Sequence, residues 1–230
     1  MIEKIIQQYC NHMAVQISEI AKIKNRLFQK ILYASLLDAM GRARFPDGKN
    51  RDRLVGFIDN CSSWKDRNRI SLAQLTLLEE SKTKLGDRLK DLIKKQTNSW
   101  QHGTLPRSEA DPLIAEIEAK PEEVKFINQV RYAELFCYYR HALIHEFREP
   151  GYGMEVSKDG LSPYYIGVSD KREKHTWELV FPVEFFKALC EDCLKGLQAY
   201  LTAQKIDPYT LYPFGSLWIE NKRQGKKLTT

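Results

Sequence analysis

Long apolar runs are missing from this chain. No stretch reaches the roughly 18 uninterrupted apolar residues that a membrane-spanning helix requires, so a soluble protein with no membrane contact is expected. The opening Met1-Ile2-Glu3-Lys4 moves straight into an amphipathic pattern and lacks the unbroken apolar region of a secretory leader. Cysteine is scarce: Cys10, Cys61, Cys137, Cys190 and Cys193 are five in number and scattered through apolar stretches of helical pattern. An odd, dispersed set excludes a secreted disulfide framework and fits a reducing cytoplasm. Cys190 and Cys193 have the spacing of half a zinc site, but no second pair accompanies them, so two buried helical cysteines are expected. A glycine-rich phosphate loop and a Gly-x-Ser-x-Gly elbow are also absent, which disfavours the P-loop nucleotide-binding and α/β-hydrolase classes.

What is present is an ordinary globular balance. With 230 residues, 43% hydrophobic and 29% charged, the chain can enclose one substantial core. We read residues 1–220 as a single helical domain and 221–230 as a basic tail. Apolar positions recur at helical spacing from Ile2 to about Ala43, as one very long helix or two in series, until Pro46 and Asp47-Gly48 end the pattern. Shorter helices follow at Arg51 to Cys61 and Ile70 to Leu78. Between Lys82 and Pro121, charge, Gly and Pro predict short helices and an exposed loop near Asn98 to Asp111. Pro121-Glu122-Glu123 opens the strongest helical pattern, which runs to Phe147 before Pro150-Gly151 stops it. Composition then turns to Tyr, Val, Ile and Trp, predicting a small antiparallel hairpin or three-strand ribbon within about 152–181. Pro182 opens a closing helix through about Gln204.

The formal net charge of +6 favours phosphates or acidic surfaces without reaching the balance of a dedicated DNA binder. The densest basic region holds Arg42, Arg44, Arg51 and Arg53, followed by Lys65, Arg67 and Arg69, with Trp64 among them. It is a candidate RNA-backbone track with an aromatic platform. A solvated loop paired with Asp38, Asp47, Asp52 and Asp66 is the plainer reading.

Tyr138-Tyr139-Arg140-His141-Ala142-Leu143-Ile144-His145-Glu146-Phe147 places one arginine and two histidines in the last turns of an otherwise apolar helix. Long polar cations there are costly unless used or paired. Arg140 paired with Glu134 or Glu146, and His145 as a C-terminal cap, would account for them structurally. His141 and His145 also have the one-turn spacing of helical zinc ligands, but Ala142 stands where a metalloprotease carries its glutamate, and no third ligand is evident. No metal and no cofactor are therefore expected.

Arg140 to His145 resembles the R-x4-H signature of the HEPN superfamily, including a polar residue directly after the arginine and a place near the end of a long helix. Helices before the motif, a hairpin after it and a closing helix resemble the plasmid- and defence-associated members. The resemblance implies an all-α HEPN-like bundle with a β-hairpin insertion and a metal-independent endoribonuclease of the toxin or phage-defence kind. It also implies a homodimer whose motif helices share one cleft, and an antitoxin or defence protein as a further partner. Arg140 would clamp the transition-state phosphate, His145 would act as general acid or base, and His141 would assist. In an α-helix, residues five apart are offset by roughly 140°, so a second subunit would complete the set. In HEPN toxins controlled by a nucleotidyltransferase antitoxin, the motif continues as R-x4-H-x-Tyr. Here Phe147 occupies that place, although Tyr138, Tyr139 and Tyr152 are close in sequence. The rival expectations are a non-catalytic HEPN-like module that binds RNA or a protein, and a purely structural dimer.

Overall fold

The computed structural model describes residues 1–80, 85–101, 103–151, 155–156, 160–169 and 175–211. Among these are eight α-helices and one two-stranded antiparallel sheet. The expected basic tail at 221–230 lies outside the described residues, as do Tyr152 and most of the segment 153–157 that opens the expected hairpin or three-strand ribbon. Glu155 and Val156 of that segment are in no strand.

The first apolar pattern divides into α1 (Ile2–Ala21) and α2 (Arg26–Arg44). Asn25 makes the division: its side chain accepts the Phe28 backbone N–H at 3.1 Å, restarting the helix after a short turn. Together with α3 (Asn50–Cys61), α7 (Tyr132–His141) and α8 (Val183–Gln204), they form the main bundle. Helix α8 runs through its centre. Its Leu189, Cys190, Cys193 and Leu197 are buried, and Gly196 lets it approach α3, because a Cβ there would lie 2.1 Å from the Cys61 carbonyl oxygen. A smaller lobe packs α4 (Leu72–Glu80), α5 (Asp87–Thr97) and α6 (Pro121–Gln129) around Leu75, Leu89, Ile93 and Ile127. Glu123 caps two of these helices at once, accepting from the Gly86 and Lys120 backbone N–H groups at 2.7 and 2.9 Å.

The expected continuous helix from Pro121 to Phe147 is interrupted. Backbone groups at 130–132 bond outside the helix: the Val130 carbonyl accepts from Ser71 N–H at 3.0 Å, and Tyr132 N–H donates to the Arg69 carbonyl at 2.9 Å. Arg131 meanwhile binds Asp59 through two 2.9 Å bonds. Tertiary pairing thus overrides local propensity at a place without glycine or proline.

Strands β1 (Tyr164–Ser169) and β2 (His175–Val180) form the expected hairpin, without a third strand among the described residues. A buried polar cluster ties it to the bundle. The hydroxyls of Tyr132 and Tyr165 both donate to Asp111, which also receives the Leu72 backbone N–H at 3.2 Å. Burial pushes the Asp111 carboxyl up to about 6 from 3.8, with the hydrogen bonds from Tyr165, Tyr132 and Leu72 opposing it.

A carboxyl whose pKa is raised by folding favours the native state most at pH below about 4 and loses that contribution as pH rises to about 6. Relative to Asp111→Asn, the wild-type protein is therefore expected to lose up to roughly 3 kcal/mol between those limits. Urea unfolding of both proteins at several pH values checks this; a difference independent of pH would contradict it.

Candidate active site

Helix α7 ends in a change of geometry. From Ala142 to Glu146 the backbone forms a π-helical turn, with bonds from i to i+5, and the chain leaves it at Phe147 in a left-handed conformation (φ 58°). The wider turn reduces the angular offset between Arg140 and His145, which a regular α-helix would separate by roughly 140°. Such turns recur at functional sites because they re-aim side chains without ending the helix.

The motif residues do not share one environment. Arg140 points inward, its side chain only 12% exposed, and an Nη2 N–H donates to Asp38 on α2. Neither Glu134 nor Glu146 is its partner: Glu134 accepts from Arg51 at 2.8 Å and Glu146 from Arg148 at 2.5 Å. Asp38 reaches Arg140 because α2 packs directly against the π turn, a contact that local spacing along α7 does not reveal. Burial lowers the guanidinium's pKa, yet the group remains a cation at physiological pH. Its Nε is buried with no hydrogen-bond partner, so a single bond to Asp38 leaves most of its donors uncommitted.

His141 and His145 face solvent, and their rings lie 4.6 Å apart between centroids. Among the described residues neither imidazole has a hydrogen-bonding or ionic partner, and no cluster of three or more His, Cys, Asp or Glu side chains could hold a metal ion. Glu134, Tyr138, His141 and His145 follow one another at spacings of four, three and four, forming one exposed or half-exposed stripe. Arg51 joins it from α3, with its guanidinium 5.5 Å from the Tyr138 ring centre.

The other basic candidates are dispersed. Arg44 lies over the Tyr200 ring at 3.6 Å, and Arg53 donates to the Phe45 and Gly48 carbonyls. Arg42 is exposed. Of the four, only Arg51 therefore reaches the motif stripe. Trp64 is packed against Phe185 and is no exposed platform.

Sequence spacing assigned Asp38 to the basic run and missed it as the partner of Arg140, and it missed Lys30. Lys30 is wholly buried, ion-paired with Glu149 at 2.7 Å and Glu155 at 2.8 Å, and donates hydrogen bonds to Glu149 and, at 3.3 Å, to the Tyr139 hydroxyl. It falls in phase with the buried Tyr33, Ala34 and Leu37, which was the available signal.

No protein-family model, curated protein or solved structure matches this chain.

Removing the carboxylate that holds Arg140 leaves a largely buried cation unpaired. Asp38→Ala is expected to lower the unfolding free energy by about 2 kcal/mol. Chemical denaturation measures it; unchanged stability would contradict the pairing described.

Proposed function

We propose that the chain is a HEPN-like endoribonuclease that cleaves RNA without a metal ion, as a homodimer. The observation that carries this reading is the pair of exposed imidazoles where α7 passes into the π turn, unpartnered among the described residues, next to a guanidinium that is held but not consumed by Asp38. RNA cleavage by the neighbouring 2′-hydroxyl requires removal of that proton, donation of a proton to the departing 5′-oxygen, and stabilisation of charge on the phosphate between them. His145 is the general base or acid, His141 its auxiliary, and Arg140 the phosphate clamp.

A second copy supplies the complementary proton-transfer group. Phe28 and Phe147, 45% and 59% exposed, stack edge to face at 5.7 Å, and Phe147 lies two residues from His145. Leu32, one turn beyond Phe28, continues this apolar face into a groove of about 390 Å³ between α1 and α2 that also includes Ile20 and Ile23. An apolar surface reaching from this groove to the motif end fits a two-fold contact that brings two such ends together.

A helix long and apolar enough to cross a membrane is absent from the described residues, and a cytoplasmic toxin or phage-defence effector, restrained by a partner protein, is the setting that the motif resemblance favours. The Arg140–Asp38 pair favours one alternative, a non-catalytic module that binds RNA or a protein.

His145→Ala and Arg140→Ala are each expected to reduce RNA cleavage in chelator-containing buffer by about 100-fold or more while the helical circular dichroism persists. Wild-type products should end in 2′,3′-cyclic phosphate and 5′-hydroxyl. Full activity in both variants, or a strict need for divalent metal, would defeat the proposal.

A further inference from the structure

We propose that the groove beside His141 is a nucleobase pocket, which selects an amino-bearing base, adenine, cytosine or guanine, over uracil next to the cleaved bond. The inference rests on the nuclease reading and adds to it a substrate preference.

The groove, of about 290 Å³, opens between α7, β2 and α4. Its apolar surface comes from the half-buried Leu135 and Leu179, with the buried Phe181 beneath them. Tyr138 borders it and is 50% exposed, whereas Tyr132, Phe136 and Tyr139 of the same helix are packed inward. A flat heteroaromatic ring is the ligand that such a surface accepts, because it can stack on Tyr138 while covering the apolar floor. The volume lies at the small end for ligand pockets, suiting one base with its sugar and phosphate outside.

Two polar groups decide which base. Gln74, half-buried on α4, lines the groove with a side-chain amide that has no hydrogen-bond partner among the described residues. Such an amide offers a donor and an acceptor side by side, the pattern that pairs with adenine N7 and N6. Glu146 borders the same groove and adds a second acceptor, partly occupied by Arg148. Both oxygens can receive an exocyclic amine, which adenine, cytosine and guanine carry, whereas uracil offers a single N3–H between two carbonyls that would face the Glu146 carboxylate unfavourably. His141 also lines the groove, so a base seated there leaves its phosphate on the imidazole side, with Arg51 beside Tyr138 as a nearby cation.

Binding and cleavage test this separately. Saturation-transfer NMR with AMP, CMP, GMP and UMP is expected to show AMP, CMP or GMP binding at least ten-fold tighter than UMP. Gln74→Ala and Tyr138→Ala should each weaken that binding at least ten-fold, with melting curves verifying that the variants fold. Mapping cut sites on a mixed RNA pool should show a bias against U that Gln74→Ala levels. Cleavage with a base preference indifferent to Gln74 overturns the pocket and leaves the nuclease reading intact. Gln74-dependent nucleotide binding without cleavage supports the pocket and removes the nuclease. Absence of both overturns both.

Discussion

A wholly buried ammonium, that of Lys30, fixes how the motif helix ends. A charge removed from water is tolerated only where partners replace its hydration, and here Glu149, Glu155 and the Tyr139 hydroxyl do so. Two of those partners belong to the segment following α7. For Glu149 to return to Lys30 and Tyr139, the chain must reverse at once after Glu146, and Phe147 takes a left-handed conformation to allow it. Glu155 then also pairs with Arg26 at 2.9 Å and accepts the Val183 N–H at the start of α8, so one charge network joins α2, the post-motif segment and the central helix.

The chemistry of the motif follows from that constraint. Because α2 lies beneath the π turn, Arg140 meets Asp38 inside the bundle while His141 and His145 remain on its surface. The chain thus presents two imidazoles outward and keeps a guanidinium within the bundle, the proton-transfer groups and phosphate clamp of the proposed nuclease. The exposed Phe28 and Phe147 rings border the same region, so the surface that would recruit a second subunit and the groups that would act on RNA are adjacent. Buried ion pairs hold the scaffold, whereas among the described residues the two imidazoles make no hydrogen bond or ion pair.

Much of the architecture was legible from periodicity. The apolar phases of α1, α2, α3 and α8, the turn chemistry at Pro46 and Pro182, and the β-branched and aromatic composition of the hairpin each reflect local rules that tertiary contacts reinforce. The interruption between α6 and α7 was not legible, since it comes from backbone pairing with residues 69–71, distant in sequence. The motif itself was visible as cations in an apolar helix. Its α-to-π transition and the Asp38 partner were not, because both come from the packing of α2 against the end of α7. Asp38 is an acid in an otherwise apolar stretch containing Leu36, Leu37 and Met40, so it carried a signal that only a three-dimensional neighbour could interpret.

Whether two motif ends meet can be measured by cross-linking His145→Cys with a short bis-maleimide, using the wild-type chain as the control for Cys137 and the buried thiols. The account predicts a covalent dimer, specific to the substituted protein, at the concentration where wild-type protein cuts RNA. Monomers alone at that concentration, with wild-type cleavage intact, would contradict it.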